Sequence, residues 1–291
     1  MLKVGVGQSP QSDTRKAVEE AARRAMMKLP DRNADLALVY ATVDHVGALD
    51  QELPNLQQIT GTQNLVGCSG LGILTGDGER EGESGIAVMA MASDRLQARP
   101  FYRDSLEGND DAVGQEIANV VRPDNPSLMV LLTDGYKSRP DAMLDGLARA
   151  GHTGAVVGAA ASENGSHGRT YQFYQGQVIS NSVVGFALSG AYETFIDITQ
   201  GCQPIGKPMV ITKAHENLIL EINDRPAFEA FNGLVGQAFQ QDLQHALGSV
   251  FVGLSPDPQK MEIEPGHYLV RNIVDVDAQK GILAIAQPVE P

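Results

Sequence analysis

Gly67-Cys68-Ser69-Gly70-Leu71-Gly72 is the densest run of special-backbone residues in the 291-residue chain. Glycines permit backbone conformations closed to other residues and let a ligand approach the main chain. Gly67, Cys68, Ser69 and Gly70 are therefore candidate ligand contacts. The run is not a dinucleotide fingerprint, because that motif needs a helix directly after it to aim an N-terminus at a pyrophosphate. Here a polar stretch, Thr75 to Ser84, and then a strand pattern follow, and there is no P-loop lysine. Cys68 and Ser69 also admit a reading as an enzyme's nucleophile. A reactive thiolate needs a base and a depressed pKa, and no histidine lies near in sequence; a buried free cysteine is the alternative.

A second small-residue stretch, Gly158-Ala159-Ala160-Ala161-Ser162, also ends a strand pattern. Such a position is where an α/β sheet offers a small-molecule pocket, although small residues there equally serve close packing. Gly158, Ala159 and Ala160 join the candidates. Asp134, in Thr133-Asp134-Gly135-Tyr136, is both a turn signal and a strand-end carboxylate facing where a ligand would sit. The six histidines show no i, i+4 pair and there is no CxxC, so zinc is not expected. One axial histidine for haem stays open, with His215 the position it would use. Asp77, Glu79, Glu81 and Glu83 lack the calcium-loop pattern and read as a solvated acidic loop.

Charge and composition narrow the partners. Twenty-two Lys plus Arg against 36 Asp plus Glu give a net charge of −14, which repels phosphate backbones and anionic lipid surfaces. With no Trp, seven Tyr and eight Phe, little is available to stack on bases. Neither nucleic acid nor membrane is an expected partner. Two cysteines suit a reducing compartment, and no signal-peptide or membrane-spanning pattern is visible, so a cytoplasmic protein is expected.

These residues need elements to hold them. Leu2 to Gly7 reads as a strand, followed by a helix capped by Ser12 or Asp13 with Ala17, Val18, Ala21, Ala22 and Ala25 on its apolar stripe. Leu36 to Tyr40 is an apolar run suited to a strand covered on both faces. A helix or turn-rich segment over Val46 to Leu56, a strand into Gly67, and a strand Ile86 to Ala92 follow, with Leu96 to Phe101 expected to pair with the last. The pattern then restarts: helix Asp111 to Val121, strand Leu128 to Leu132, a helix opened by Ser138-Arg139-Pro140-Asp141, strand Ala155 to Ala160, strand Val183 to Leu188. Nearly constant offsets between the two series predict a duplicated α-β-α-β-β unit.

The expected fold class is thus an α/β N-terminal domain over 1–197, in two repeated units of about 1–105 and 106–197, and a smaller α+β C-terminal domain over 198–291. In the latter, Met209 to Lys213 and Leu218 to Asn223 predict a hairpin turning at His215-Glu216-Asn217. A helix carrying Phe228, Phe231, Leu234, Val235, Ala238, Phe239 and Leu243 on one face follows, then short strands.

The chain resembles the FIST family of sensory domains. The N-terminal resemblance rests on Val4-Gly5-Val6-Gly7 before an Ala-rich helix, on Leu65 to Gly72 with acidic residues after it, and on Val157-Gly158-Ala159-Ala160. Gly201-Cys202-Gln203-Pro204-Ile205-Gly206-Lys207-Pro208, leading through Val210 to Ala214 and Leu220 to Ala227, is similar to the opening of the FIST C-terminal domain. Tyr268 to Ile273 is a further similar block, and its Arg271 is added to the candidate contacts. The resemblance implies a non-catalytic intracellular sensory module binding a small ligand such as an amino acid. The expected partner is a signalling output protein such as a kinase, and no obligatory cofactor is implied. Some relatives are associated with haem and nitric oxide sensing, which keeps a haem-based sensor as the alternative. The resemblance further implies that the C-terminal domain is incomplete here.

Overall fold

A computed structural model of the chain describes residues 1–122, 127–197, 201–235, 247–255 and 268–290. It divides into two compact units, Met1–Thr194 and Phe195–Pro291.

In the first unit, β1 (Lys3–Ser9) leads into α1 (Thr14–Met26), whose N-cap is Asp13, its carboxylate accepting from the Lys16 amide at 2.9 Å. β2 (Leu36–Thr42), buried along almost its whole length, runs into α2 (Val43–Thr60). α2 is longer than the sequence pattern suggested, because Gly61 at φ 71° supplies the left-handed stop only after Thr60. β3 (Leu65–Gly70) follows, then a hairpin of β4 (Gly72–Thr75) and β5 (Gly78–Glu81), where the sequence led us to expect only an acidic loop. β6 (Ile86–Ala92) and β7 (Leu96–Asp104) complete the first half. α3 (Asp110–Val121), β8 (Leu128–Thr133), α4 (Pro140–Arg149), β9 (Val156–Ala160), a short hairpin of β10 (Gln172–Tyr174) and β11 (Gln177–Ile179), and β12 (Ser182–Gly190) make the second.

Apart from β4 and β5, which pair only with each other, two sheets carry these strands, in the orders β1-β6-β2-β3-β10-β11 and β7-β12-β8-β9. The expected pairing of β7 with β6 is corrected: β7 runs antiparallel to β12 from Gly190↔Leu96 to Ser182↔Asp104. Phe101 explains why, being buried with α3, α4 and β8 and so tying β7 to the second set of helices. The two sheets share a strand order, β1-β6-β2-β3 in the first and β7-β12-β8-β9 in the second.

The unit is layered helix, sheet, sheet, helix. One apolar cluster joins α1 and α2 to the first sheet, through Ala17, Val18, Leu49, Leu53, Val39 and Val88 among others. A second joins α3 and α4 to the other sheet, through Ile117, Met143, Leu147, Leu131 and Val183. The third lies between the sheets: Leu36, Leu38, Val66 and Cys68 from one, Leu132, Ala161, Val184, Phe186 and Leu188 from the other. Among the described residues no helix is long and apolar enough to cross a membrane.

In the second unit, β13 (Ile211–His215) and β14 (Leu218–Ile222) form the expected hairpin, with Glu216 at φ 53° in its turn. β15 (Arg225–Pro226) pairs with β14, and α5 (Ala227–Leu234) follows; the rest of the expected apolar helix face, from Ala238 on, lies outside the described residues. β16 (Phe251–Leu254), β17 (Leu269–Asp277) and β18 (Ile282–Ile285) complete an antiparallel sheet in the order β13-β14-β18-β17-β16. Ile219, Phe231, Ile273, Leu283 and Ile285 form its core.

Candidate functional site

The two small-residue stretches meet. Ser69, one residue from the end of β3, is 1 % exposed, and its hydroxyl donates to the Ser162 carbonyl at 2.9 Å while accepting from the Tyr171 amide at 3.1 Å. The Ser69 amide donates to the Tyr171 carbonyl at 2.9 Å and the Ser69 carbonyl accepts from the Ser162 amide at 3.1 Å. Ser162 Oγ in turn accepts from the Leu71 amide at 3.0 Å. One serine thus ties the end of β3 to the chain leaving β9 and to the chain entering β10. Both ends belong to parallel pairs, β2 with β3 and β8 with β9, so the junction sits at carboxyl ends of parallel strands. Ligands of α/β sheets gather in such places.

Gly67 and Gly158 hold equivalent positions within it, each opposite a residue of the neighbouring parallel strand, Val39 and Leu131. A Cβ added to Gly67 would lie 1.8 Å from the Val39 carbonyl oxygen, and one on Gly158 2.0 Å from that of Leu131. Of the two readings open in the sequence, close packing accounts for both glycines. Gly70 is restricted in the same way, its added Cβ lying 2.8 Å from the Gly72 carbonyl. Ala159 and Ala160, by contrast, stand exposed on β9.

Asp134 is 2 % exposed and fully engaged with main chain: Oδ1 accepts from the amides of Tyr136 at 2.9 Å and Lys137 at 3.0 Å, Oδ2 from that of Asn181 at 3.0 Å. It acts as the organising carboxylate of a turn, with the adjacent Gly135 amide donating to Thr170 Oγ1 at 2.9 Å. Arg271 lies on β17 in the second unit, its guanidinium bonded to Gln287 Oε1 and to the Val270 carbonyl.

Neither candidate nucleophile is activated where it sits. Burial pushes the Cys68 thiol up to about 12, so it is not a thiolate at neutral pH. The Ser69 hydroxyl spends its proton on a carbonyl oxygen, and among the described residues no imidazole or carboxylate bonds to it. His215 is exposed at the end of β13. His45 is buried, its Nδ1 3.0 Å from Thr14 Oγ1, and burial holds its pKa below the ordinary value against the opposing pull of Asp44. Among the described residues no group of three or more His, Cys, Asp and Glu could hold a metal.

Sequence reasoning missed a polar row. Register places Gln8 beside Ala87, Ala87 beside Tyr40, Tyr40 beside Cys68 and Cys68 beside Gln172, straight across five strands of the first sheet. Tyr40 and Cys68 belong to the layer between the sheets, and Gln172 reaches Ser182 of the other sheet, whose hydroxyl donates to Gln172 Oε1 at 2.8 Å. Gln172 is completely buried, yet its Nε2 has no partner among the described residues; Gln8, 3 % exposed, likewise leaves Oε1 unpaired among them. Burial, and next the neighbouring Cys68, push the Tyr40 hydroxyl up to about 12, so it remains a neutral donor and acceptor. The available signal was a glutamine next to apolar or glycine residues in a strand pattern, Gln8 after Val6-Gly7 and Gln172 before Phe173.

The FIST N domain family matches residues 35–225. The uncharacterized protein Rv0628c of Mycobacterium tuberculosis is 26 % identical over 291 residues, covering 99 % of this chain and 74 % of that protein. The uncharacterized protein Mb0898c of Mycobacterium bovis is also 26 % identical, with the same coverage. MJ1623 of Methanocaldococcus jannaschii is 22 % identical over 68 % of this chain and 40 % of its own length. Among solved structures, cyanuric acid hydrolase from A. caulinodans aligns at a TM-score of 0.33 and 12 % identity, over 65 % of this chain and 71 % of that one.

Proposed function

Because the chain belongs to the FIST family, whose domains are sensory signal-transduction modules, we propose that it is a non-catalytic sensor of a small polar metabolite, bound where the ends of β3 and β9 meet. The observation that carries this reading is Gln172, whose amide nitrogen is buried at the junction with one end fixed by Ser182 and the other end unpaired. Leaving a buried donor unmet costs about 1–3 kcal/mol, which an incoming carboxylate or carbonyl would offset. An amino acid carries such a group and is the first ligand class to test. The matching order of the two sheets supports an internal duplication within 1–197, with 198–291 as a separate C-terminal domain. A cytoplasmic setting and a signalling output protein, such as a kinase, complete the proposal.

A thermal-shift screen of amino acids and related metabolites tests it. A specific ligand at 100 times its Kd should stabilise the fold by about 2.7 kcal/mol, and Gln172→Leu should remove that gain. No shift from any class, or an equal shift in Gln172→Leu, refutes the assignment.

A further inference from the structure

The second sheet ends on an open strand. The Met129 amide donates to the Ala155 carbonyl and the Ala161 amide to the Thr133 carbonyl, both across the β8–β9 pair. With the period-two alternation of a strand, this turns the main-chain groups of 155, 157, 159 and 161 toward β8. Those of Val156, Gly158 and Ala160 point away from the sheet. β9 has no neighbour on that side among the described residues, and Gly158, Ala159 and Ala160 are exposed.

The same edge is filled in the first sheet. β3 occupies there the place β9 occupies in the second, and its outer side takes β10 antiparallel, with Cys68 opposite Gln172 and Val66 opposite Tyr174. Natural edges are normally blunted by charge, proline or brevity. The opposite edge of the second sheet follows that rule, since β7 carries Arg99, Pro100 and Arg103. β9, five residues long, carries neither charge nor proline. From Gly151 to Ser162 there is no Asp, Glu, Lys or Arg, in a chain whose net charge of −14 would otherwise oppose self-association.

The geometry points to a second copy of this chain as the occupant, with β9 pairing antiparallel to its counterpart about a two-fold axis through Gly158. In that register Val156 faces Ala160 and Gly158 faces its own copy, so no charges oppose one another, and the pairing stops short of Ser162, whose amide is taken by the Ser69 carbonyl. The outward groups of Val156, Gly158 and Ala160 then fall in the closely spaced pairs of an antiparallel ladder and supply about six main-chain hydrogen bonds. The two four-stranded sheets become one continuous sheet across the axis, an isologous contact.

The test is the mass of the full chain in solution by light scattering over about 1 to 100 μM, the range in which a micromolar Kd is visible. The expected result is a rise from 31.0 kDa toward twice that mass. Ala160→Pro removes an outward amide that β8 does not use, and Ala160→Lys adds the missing edge charge; each should hold the chain at monomer mass with its melting temperature unchanged. A wild type that stays monomeric throughout overturns the inference, as does a dimer that both variants preserve. Should either variant unfold, amide exchange on the wild type decides. Protection at Val156, Gly158 and Ala160 that grows with concentration supports the pairing, and protection independent of concentration refutes it.

Discussion

Ser69→Ala isolates the interaction that joins the two halves of the first unit. The hydroxyl makes two hydrogen bonds, to the Ser162 carbonyl at 2.9 Å and from the Tyr171 amide at 3.1 Å, from a side chain only 1 % exposed. Alanine removes both and leaves two main-chain groups in a site water does not readily enter. A net hydrogen bond contributes about 0.5–1.5 kcal/mol, and an orphaned buried group costs about 1–3 kcal/mol. The two main-chain bonds between Ser69, Tyr171 and Ser162 survive the change, so the segments stay near one another and the penalty falls at the low end for each group. A loss of about 2–3 kcal/mol is expected. For a unit of this size that corresponds to a fall of roughly 4–12 °C in Tm.

Ser162→Ala is the internal control. Its hydroxyl accepts from the Leu71 amide at 3.0 Å, but Ser162 and Leu71 are both exposed, so water replaces the lost acceptor. This variant should cost under about 0.5 kcal/mol, the level of an ordinary surface change. Urea unfolding followed by far-ultraviolet circular dichroism measures both, with the m-value checking that the unfolded reference has not moved. If Ser69→Ala proves as mild as Ser162→Ala, the Ser69 hydroxyl is not the tie between β3 and β9, and the main-chain bonds and packing hold the junction.

Two further outcomes follow from the same site. Alkylation of Cys68 in the native protein should be slow at pH 8 and fast only after unfolding. Its pKa rises from 9.0 to about 12 on burial, so the stability it confers is complete below about pH 9 and drains away as pH climbs toward 12, at up to about 1.4 kcal/mol per unit; brisk native alkylation would contradict this. Gly67→Ala and Gly158→Ala should each destabilise by about 1–3 kcal/mol or more, since the new Cβ meets a strand carbonyl, whereas Gly76→Ala, with open space around it, should be near neutral; matching melting curves for all three would break the packing account.

Much of the fold was legible because its signals are local. Leu36 to Tyr40 announces a two-sided buried strand by being apolar throughout, and Asp13 announces the start of α1 through a capping bond that spans three residues. The partner of Leu96–Asp104 was illegible for the opposite reason. Its choice between β6 and β12 depends on which helices bury Phe101, and that is a property of packing between distant segments. The hairpin at Gly72–Glu81 was obscured by its own charge, because Glu79 and Glu81 flank Arg80 on a largely solvated β5 and Ile73 alone is buried on β4, too little to reveal a period.

The site divides along the same line. Ser69 and the Gly158 stretch were found because glycine and small residues mark unusual backbone, but glycine reports only that space is short, and at Gly67 and Gly158 the space is taken by a neighbouring strand's carbonyl. The buried glutamines with unpaired atoms, Gln172 and Gln8, gave the weaker signal of one polar side chain beside apolar neighbours. Their lateral alignment with Tyr40 and Cys68 depends on register across five strands, one pairing of which, β3 with β10, joins residues about a hundred positions apart. A polar row through a sheet interior leaves no trace in any one segment, and it becomes visible only when the strands are laid side by side.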